Sequence, residues 1–167
     1  MSESHTLQGS VEYPNLSDEA LFKLHTQVLR EAKRRGLRFS VGELGEKVVI
    51  DLFRKRPDLP VLVAAPVGTR NVDALSRSGD RYSIKTLQRS KKSGTIYPDR
   101  EDPDKQLFEF LVVVRLNEDL ELARAILLSW QQFCEVRKWD VTMKAWYVAA
   151  TQSVLNRGTQ LYPPSEA

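Results

Sequence analysis

The stretch Asn71-Val72-Asp73-Ala74-Leu75 and the stretch Arg81-Tyr82-Ser83-Ile84-Lys85-Thr86 alternate apolar and polar residues, with Gly79-Asp80 between them. That pattern predicts two strands joined by a tight connection. Side chains alternate faces along a strand, so Ser83 and Lys85 share one face while Tyr82 and Ile84 share the other. A two-residue turn at Ser78-Gly79 would set Asp73 opposite Ile84, on the wrong face for Lys85. A three-residue connection or a bulge brings Asp73 and Lys85 together, and glycine at position 79 suits such a loop.

The flanking sequence supplies elements that could enclose this hairpin. Ser17-Asp18-Glu19-Ala20 offers an N-cap and first-turn acids, followed by Leu21, Leu24, Val28, Leu29 and Ala32 at helical spacing and a basic end at Lys33-Arg34-Arg35-Gly36. A second helix is predicted from Ser40 to Phe53, with Ser40 and Glu43 at capping-box spacing and Leu44, Val48, Val49 and Leu52 on its buried face. Gly42 and Gly45 are poor helix formers there, but they would allow another backbone to come close. Val61-Leu62-Val63-Ala64-Ala65 predicts a strand buried on both faces. Arg89 to Asp104 is polar and reads as a long loop, either functional or mobile. Phe108 to Arg115 is the strongest strand signal, and Leu122 to Leu128 reads as a returning strand. Ser129 can cap a short helix carrying Phe133 and Val136. Ala145 to Ala150 fits a strand or a helix, and Leu161-Tyr162-Pro163-Pro164 shows no clear element. The predicted organisation is a flexible segment over 1–16, one domain over 17–160 and a tail over 161–167.

Size and composition agree with one core. The chain has 167 residues, 41% hydrophobic and 28% charged, with 8 glycines and 8 prolines, which excludes a disordered or low-complexity chain. No apolar run is long enough to span a membrane, and Met1-Ser2-Glu3-Ser4-His5 does not read as a signal peptide, so the cytoplasm is the expected location. The lone Cys134 rules out an internal disulfide or a multi-cysteine zinc site. The basic residues are concentrated early: 17 lysines and arginines against 11 aspartates and glutamates up to Lys92, then 8 against 11. A basic half that also contains the candidate site favours a polyanionic partner.

The chemistry these residues suggest is phosphodiester hydrolysis. It requires charge neutralisation at phosphate and a deprotonated water, which a carboxylate-held magnesium can supply. Asp73 is the first candidate ligand and Glu46, one turn into the second helix, is the next. Lys85 would orient the water and stabilise the developing charge. Only His5 and His25 are available as histidines, which disfavours histidine-metal or Ser-His chemistry, and no GxxxxGK[ST] or GxGxxG run indicates nucleotide binding. Arg89, Lys91 and Lys92 are candidate DNA-backbone contacts. Trp130, Trp139 and Trp146 read as core or interface anchors rather than base-stacking platforms. Each site residue also has an ordinary structural reading: Glu43 and Glu46 on a solvated helix face, Asp73 capping a turn, Lys85 exposed on a strand.

Taken together, Gly42-Glu43-Leu44-Gly45-Glu46 on an early helix, Asp73 on a strand and Ser83-Ile84-Lys85 on the next resemble the PD-(D/E)XK, or restriction-endonuclease-like, nuclease superfamily. The resemblance covers roughly Ser40 to Thr86 by motif. It implies an α/β fold, a central mixed β-sheet flanked by helices in a single domain, and magnesium-dependent DNA cleavage, with manganese as a substitute. Glu46, Asp73 and Lys85 would be catalytic. Glu46, Asp73 and the backbone carbonyl of Ile84 would hold the metal. Two departures stand out: Pro66 lies well before Asp73, and Ser83 occupies the position of the second strand acid, where a hydroxyl is a weak ligand for a hard cation. The competing expectation is a catalytically silent member of the same fold that binds DNA or a protein partner. A globular interaction domain without nucleic acid is the third. Double-strand cleavage by a single-site domain this small would call for a homodimer.

Overall fold

A computed structural model of the chain describes residues 13–164. The predicted N-terminal segment therefore lies outside the described residues up to position 12, as does the end of the predicted tail from 165. The chain divides into two compact units between Phe39 and Ser40. The first contains a 3-10 turn at Tyr13–Asn15 and helix α1, Asp18–Arg34. Ser17 caps α1 by accepting the Ala20 N–H at 3.2 Å, and Arg34 and Arg35 both pair with Glu31 on the last turns. The helix stops at Gly36, whose φ of 70° is in the left-handed region.

The second unit is a mixed α/β sandwich. It begins with α2, Val41–Lys55, capped as the sequence predicts by Ser40, which accepts the Glu43 N–H. The strands and helices that follow are β1 Leu62–Ala64, β2 Ala74–Ser76, β3 Arg81–Leu87, β4 Phe110–Leu116, β5 Leu122–Ser129, α3 Trp130–Val136, β6 Arg137–Asp140, β7 Ala145–Val148, α4 Gln152–Leu155 and β8 Thr159–Tyr162. Six strands form one sheet in the order β1-β2-β3-β4-β5-β8, with only β3 and β4 parallel, while β6 and β7 pair separately. No helix among the described residues is long and apolar enough to cross a membrane.

The centre of the sheet is apolar on both faces because both are covered. On one side Phe53 and Val49 of α2 pack with Tyr82, Ile84, Val112 and Val114. On the other, Leu87, Leu111, Val113 and Ile126 pack with Phe108 and with Phe133 of α3. This explains why β4 reads as a continuous apolar run: its alternate residues feed two cores. Arg81 fixes the parallel register of β3 on β4. Its guanidinium and its backbone N–H all donate to the Glu109 carboxylate, the N–H at 2.6 Å.

Several elements differ from the sequence reading. The apolar run at 61–65 forms the edge strand β1, with Leu62 buried and Val63 56% exposed, so it is covered on one face only. The polar stretch after Arg89 is not a free loop. Ile96 exchanges backbone hydrogen bonds with Trp146 of β7, the Ser93 N–H donates to the Val148 carbonyl while the Ser93 hydroxyl accepts the Val148 N–H, and Ile96 is fully buried. Ala145–Val148 is a strand, and β6 forms beside it without an apolar alternation to announce it. Leu161 and Tyr162 lie in β8, whose Leu161 carbonyl accepts a hydrogen bond from Arg56 at 2.8 Å.

The two glycines of α2 have opposite roles. A Cβ on Gly45 would stand 1.8 Å from the Thr86 hydroxyl oxygen of β3, whereas one on Gly42 would meet nothing within 4 Å. Gly45→Ala is expected to destabilise the fold by about 1–3 kcal/mol through overpacking. Gly42→Ala should gain roughly 0.5–1 kcal/mol from helix propensity. Urea unfolding midpoints at constant slope measure both; equal effects at the two positions would refute the close-approach account.

Candidate active site

The site is built where the pairing of β2 with β3 stops. The register Leu75↔Arg81 and Ala74↔Tyr82 leaves three residues, Arg77-Ser78-Gly79, between Ser76 and Asp80, whose backbones bond at 3.0 Å. Gly79 takes φ 91°, the left-handed position that such a connection requires. The carboxylate of Asp80 accepts from the Ser78 and Ser76 hydroxyls and closes the turn. The odd loop length is the one that sets Asp73 with Ser83 rather than Ile84.

Beyond Ala74 the regular ladder ends: the Asp73 N–H still donates to the Tyr82 carbonyl at 2.8 Å, and the Ile84 N–H is taken up by a side chain. Asp73 Oδ2 accepts the Ile84 N–H at 2.6 Å and the Ser83 hydroxyl at 3.3 Å. A residue's N–H and C=O point to the same side of an extended strand, so the Ile84 carbonyl is also directed toward the Asp73 side of β3. Ser83 is fully buried. Its hydroxyl thus orients the neighbouring carboxylate, and a second carboxylate in its place would be buried against the first.

Glu46 comes to this point from α2. Gly45 lets the helix backbone descend onto Thr86, the residue after Lys85, and so brings position 46 beside the hairpin. The Glu46 carboxyl is pushed above its ordinary range, first by burial and then by the negative charge of Asp73; Lys85 opposes the shift and Glu43 adds to it. Asp73 and Lys85 therefore both lie within electrostatic reach of Glu46. Lys85 has a further neighbour that sequence spacing did not indicate: a Cβ on Gly94 would lie 3.8 Å from Lys85 Cδ, so the segment pinned to β7 forms one wall of the site.

The basic candidates divide. Lys92 is engaged in the fold, its ammonium 2.9 Å from Asp140 and 4.2 Å from the centre of the Tyr147 ring, which raises its pKa. Arg89 and Lys91 are exposed. Trp130 packs against Phe108 and Phe133, and Trp146 lies under the Arg137 guanidinium, as anchors do; Trp139 is 43% exposed.

Among the described residues no group of three or more histidine, cysteine, aspartate or glutamate side chains is placed to hold a metal ion. The donor set is smaller: the carboxylates of Glu46 and Asp73, with a strand carbonyl. It suits magnesium, which keeps several waters and uses one or two carboxylates. Burial raises the Glu46 pKa first and the charge of Asp73 second, and a bound divalent cation would offset the second of these. The chain matches no protein-family model and no curated protein sequence.

The Glu46 shift has a defined consequence for stability. Because the folded pKa lies above the unfolded one, its contribution is fully present below the unfolded value, about 4.3, and is lost as pH rises through the folded value. Glu46→Gln, which cannot ionise, is expected to gain stability relative to the unmodified chain between about pH 4 and about pH 7. Urea midpoints at both ends of that range test this, and a difference independent of pH would contradict it.

Proposed function

We propose that this chain is a metal-dependent DNA endonuclease of the restriction-endonuclease-like fold. The observation that carries the reading is that Asp73 and Lys85 both act electrostatically on Glu46, in a mixed sheet whose β2–β3 connection has the required parity. Glu46, Asp73 and the Ile84 carbonyl would hold Mg2+, or Mn2+ in its place, and the bound ion would supply charge neutralisation at the phosphate and a water acidic enough to ionise at neutral pH. Lys85 would help to orient the attacking water and offset the negative charge that builds on the phosphate oxygens. Ser83 and the Ile84 N–H hold the Asp73 carboxylate in one orientation, so less rearrangement is needed on binding. The raised Glu46 pKa means that its carboxyl takes up a proton more readily than a solvated one in the absence of a cation. Activity should therefore fall as pH is lowered, and at a higher pH than for a solvated carboxylate.

A second reading, a catalytically silent DNA-binding or protein-interaction subunit of the same fold, has its own supporting observation. The acid position holds a neutral buried serine, and Asp73 already has a structural task in capping Ile84. Cleavage assays separate the two. Purified protein is incubated with duplex and single-stranded DNA, with and without Mg2+ or Mn2+. Metal-dependent cleavage that drops at least about 100-fold in Asp73→Asn and Lys85→Met supports the enzyme. Asn at position 73 keeps an acceptor for Ile84, so loss there reads chemistry rather than folding. Cleavage that persists in both variants would remove these residues from the mechanism, and metal-independent binding without cleavage would establish the silent module.

A further inference from the structure

The β6–β7 turn and the loops around Arg70 and Pro98 enclose an open groove of about 610 Å3. Two aromatic rings and three cations line it: Tyr97, 37% exposed, and Trp139, 43% exposed, with Arg70, Arg100 and Lys144. Trp139 is held in place, edge-on to Trp146 at 4.8 Å, and the Tyr97 carbonyl is tied to the Asn71 side chain at 3.0 Å. One acid, Asp99, also lines the groove, but its charge is taken up within its own loop. It accepts the Glu101 and Asp102 N–H groups and pairs with Lys105 at 3.5 Å, and these interactions hold its carboxyl below the usual range. Arg70, Arg100 and Lys144 form no ion pair among the described residues.

Partly exposed aromatic side chains among unmatched cations suit a ligand with flat apolar surfaces and regularly placed negative charges. A duplex has the charges but keeps its base faces stacked inside, whereas a single strand offers both. We infer that this groove binds a single-stranded nucleic-acid segment, with bases stacked on Trp139 and Tyr97 and phosphates on Arg70, Arg100 and Lys144. Arg70 precedes Asp73 by three residues, at most roughly 10 Å of extended chain. A strand bound there is led to the carboxylate; this last step alone rests on the nuclease reading.

Binding is measured on the full chain in EDTA, by fluorescence anisotropy with labelled oligo(dT) and oligo(rU) of about 12 nucleotides and a duplex of equal length. Either single strand should bind at least about tenfold more tightly than the duplex. Trp139→Ala should weaken binding roughly 5- to 100-fold, with Trp139→Phe recovering most of it. Replacing Arg70 and Lys144 by Gln should lower the salt slope by about 0.7 for each phosphate that is no longer neutralised. Far-UV circular dichroism checks that each variant is folded. Duplex affinity equal to that of both single strands, no binding of either, or a Trp139→Ala affinity within about twofold of the unmodified protein would overturn the inference. Binding without metal-dependent cleavage would count against the nuclease reading alone. Duplex cleavage without single-strand binding would count against the groove alone.

Discussion

Helix α2 can lie against β3 only because residue 45 has no side chain. Thr86 fills the space that a Cβ would need, and this close approach sets how near the helix comes to the sheet. Two consequences come from one distance. Val49 and Phe53, one and two turns further along, reach Ile84, Tyr82 and the centre of β4 to form the first core. Glu46, next in the chain, is carried into the field of Asp73 and Lys85. Packing and site are thus coupled through the same turn of helix, and a change that lifts α2 from the sheet would disturb both.

At the hairpin, a carboxylate does the work of a missing backbone acceptor. An amide left unpaired beside a buried strand would cost about 1–3 kcal/mol, so Asp73 contributes to the sheet as well as to the charge distribution around Glu46. Ser83 has to be small and neutral in this arrangement, since it is buried against the oxygen that already accepts Ile84. Ser83 is therefore consistent with its surroundings, and the carboxylate that acts on Asp73 from outside the sheet is Glu46.

Local features were legible in the sequence where local physics determines them. Ser17, Ser40 and Ser129 begin helices because their hydroxyls meet amides three residues ahead, a relation visible in the chain. Phe110–Leu116 shows itself as a central strand by its apolar run from Phe110 to Val114, and Gly79 is compatible with the loop parity found here, which the sequence left open. What escaped depends on distant partners. Whether the run at 61–65 lies in the middle or at the edge of the sheet depends on which strands exist to flank it. Arg137-Lys138-Trp139-Asp140 is a strand because β7 lies alongside, and Ile96, one apolar residue among polar neighbours, is buried by that same strand. Glu46, Asp73 and Lys85 could be named individually, but the approach of Gly45 to Thr86 and of Gly94 to Lys85 is tertiary and leaves no spacing to read.

The crossover between the parallel strands β3 and β4 contains no helix. It is held instead by a strand that comes much later in the chain, through Ser93 with Val148 and Ile96 with Trp146. Such pairings close long loops, and their entropic cost is met before they return any stabilisation. The Gly94 wall beside Lys85 therefore belongs to the late-assembling part of the fold: it can settle only after β7 has been made and has found its place. A chain still lacking that strand could form the Asp73 hairpin and α2, yet would leave the lysine side of the site open.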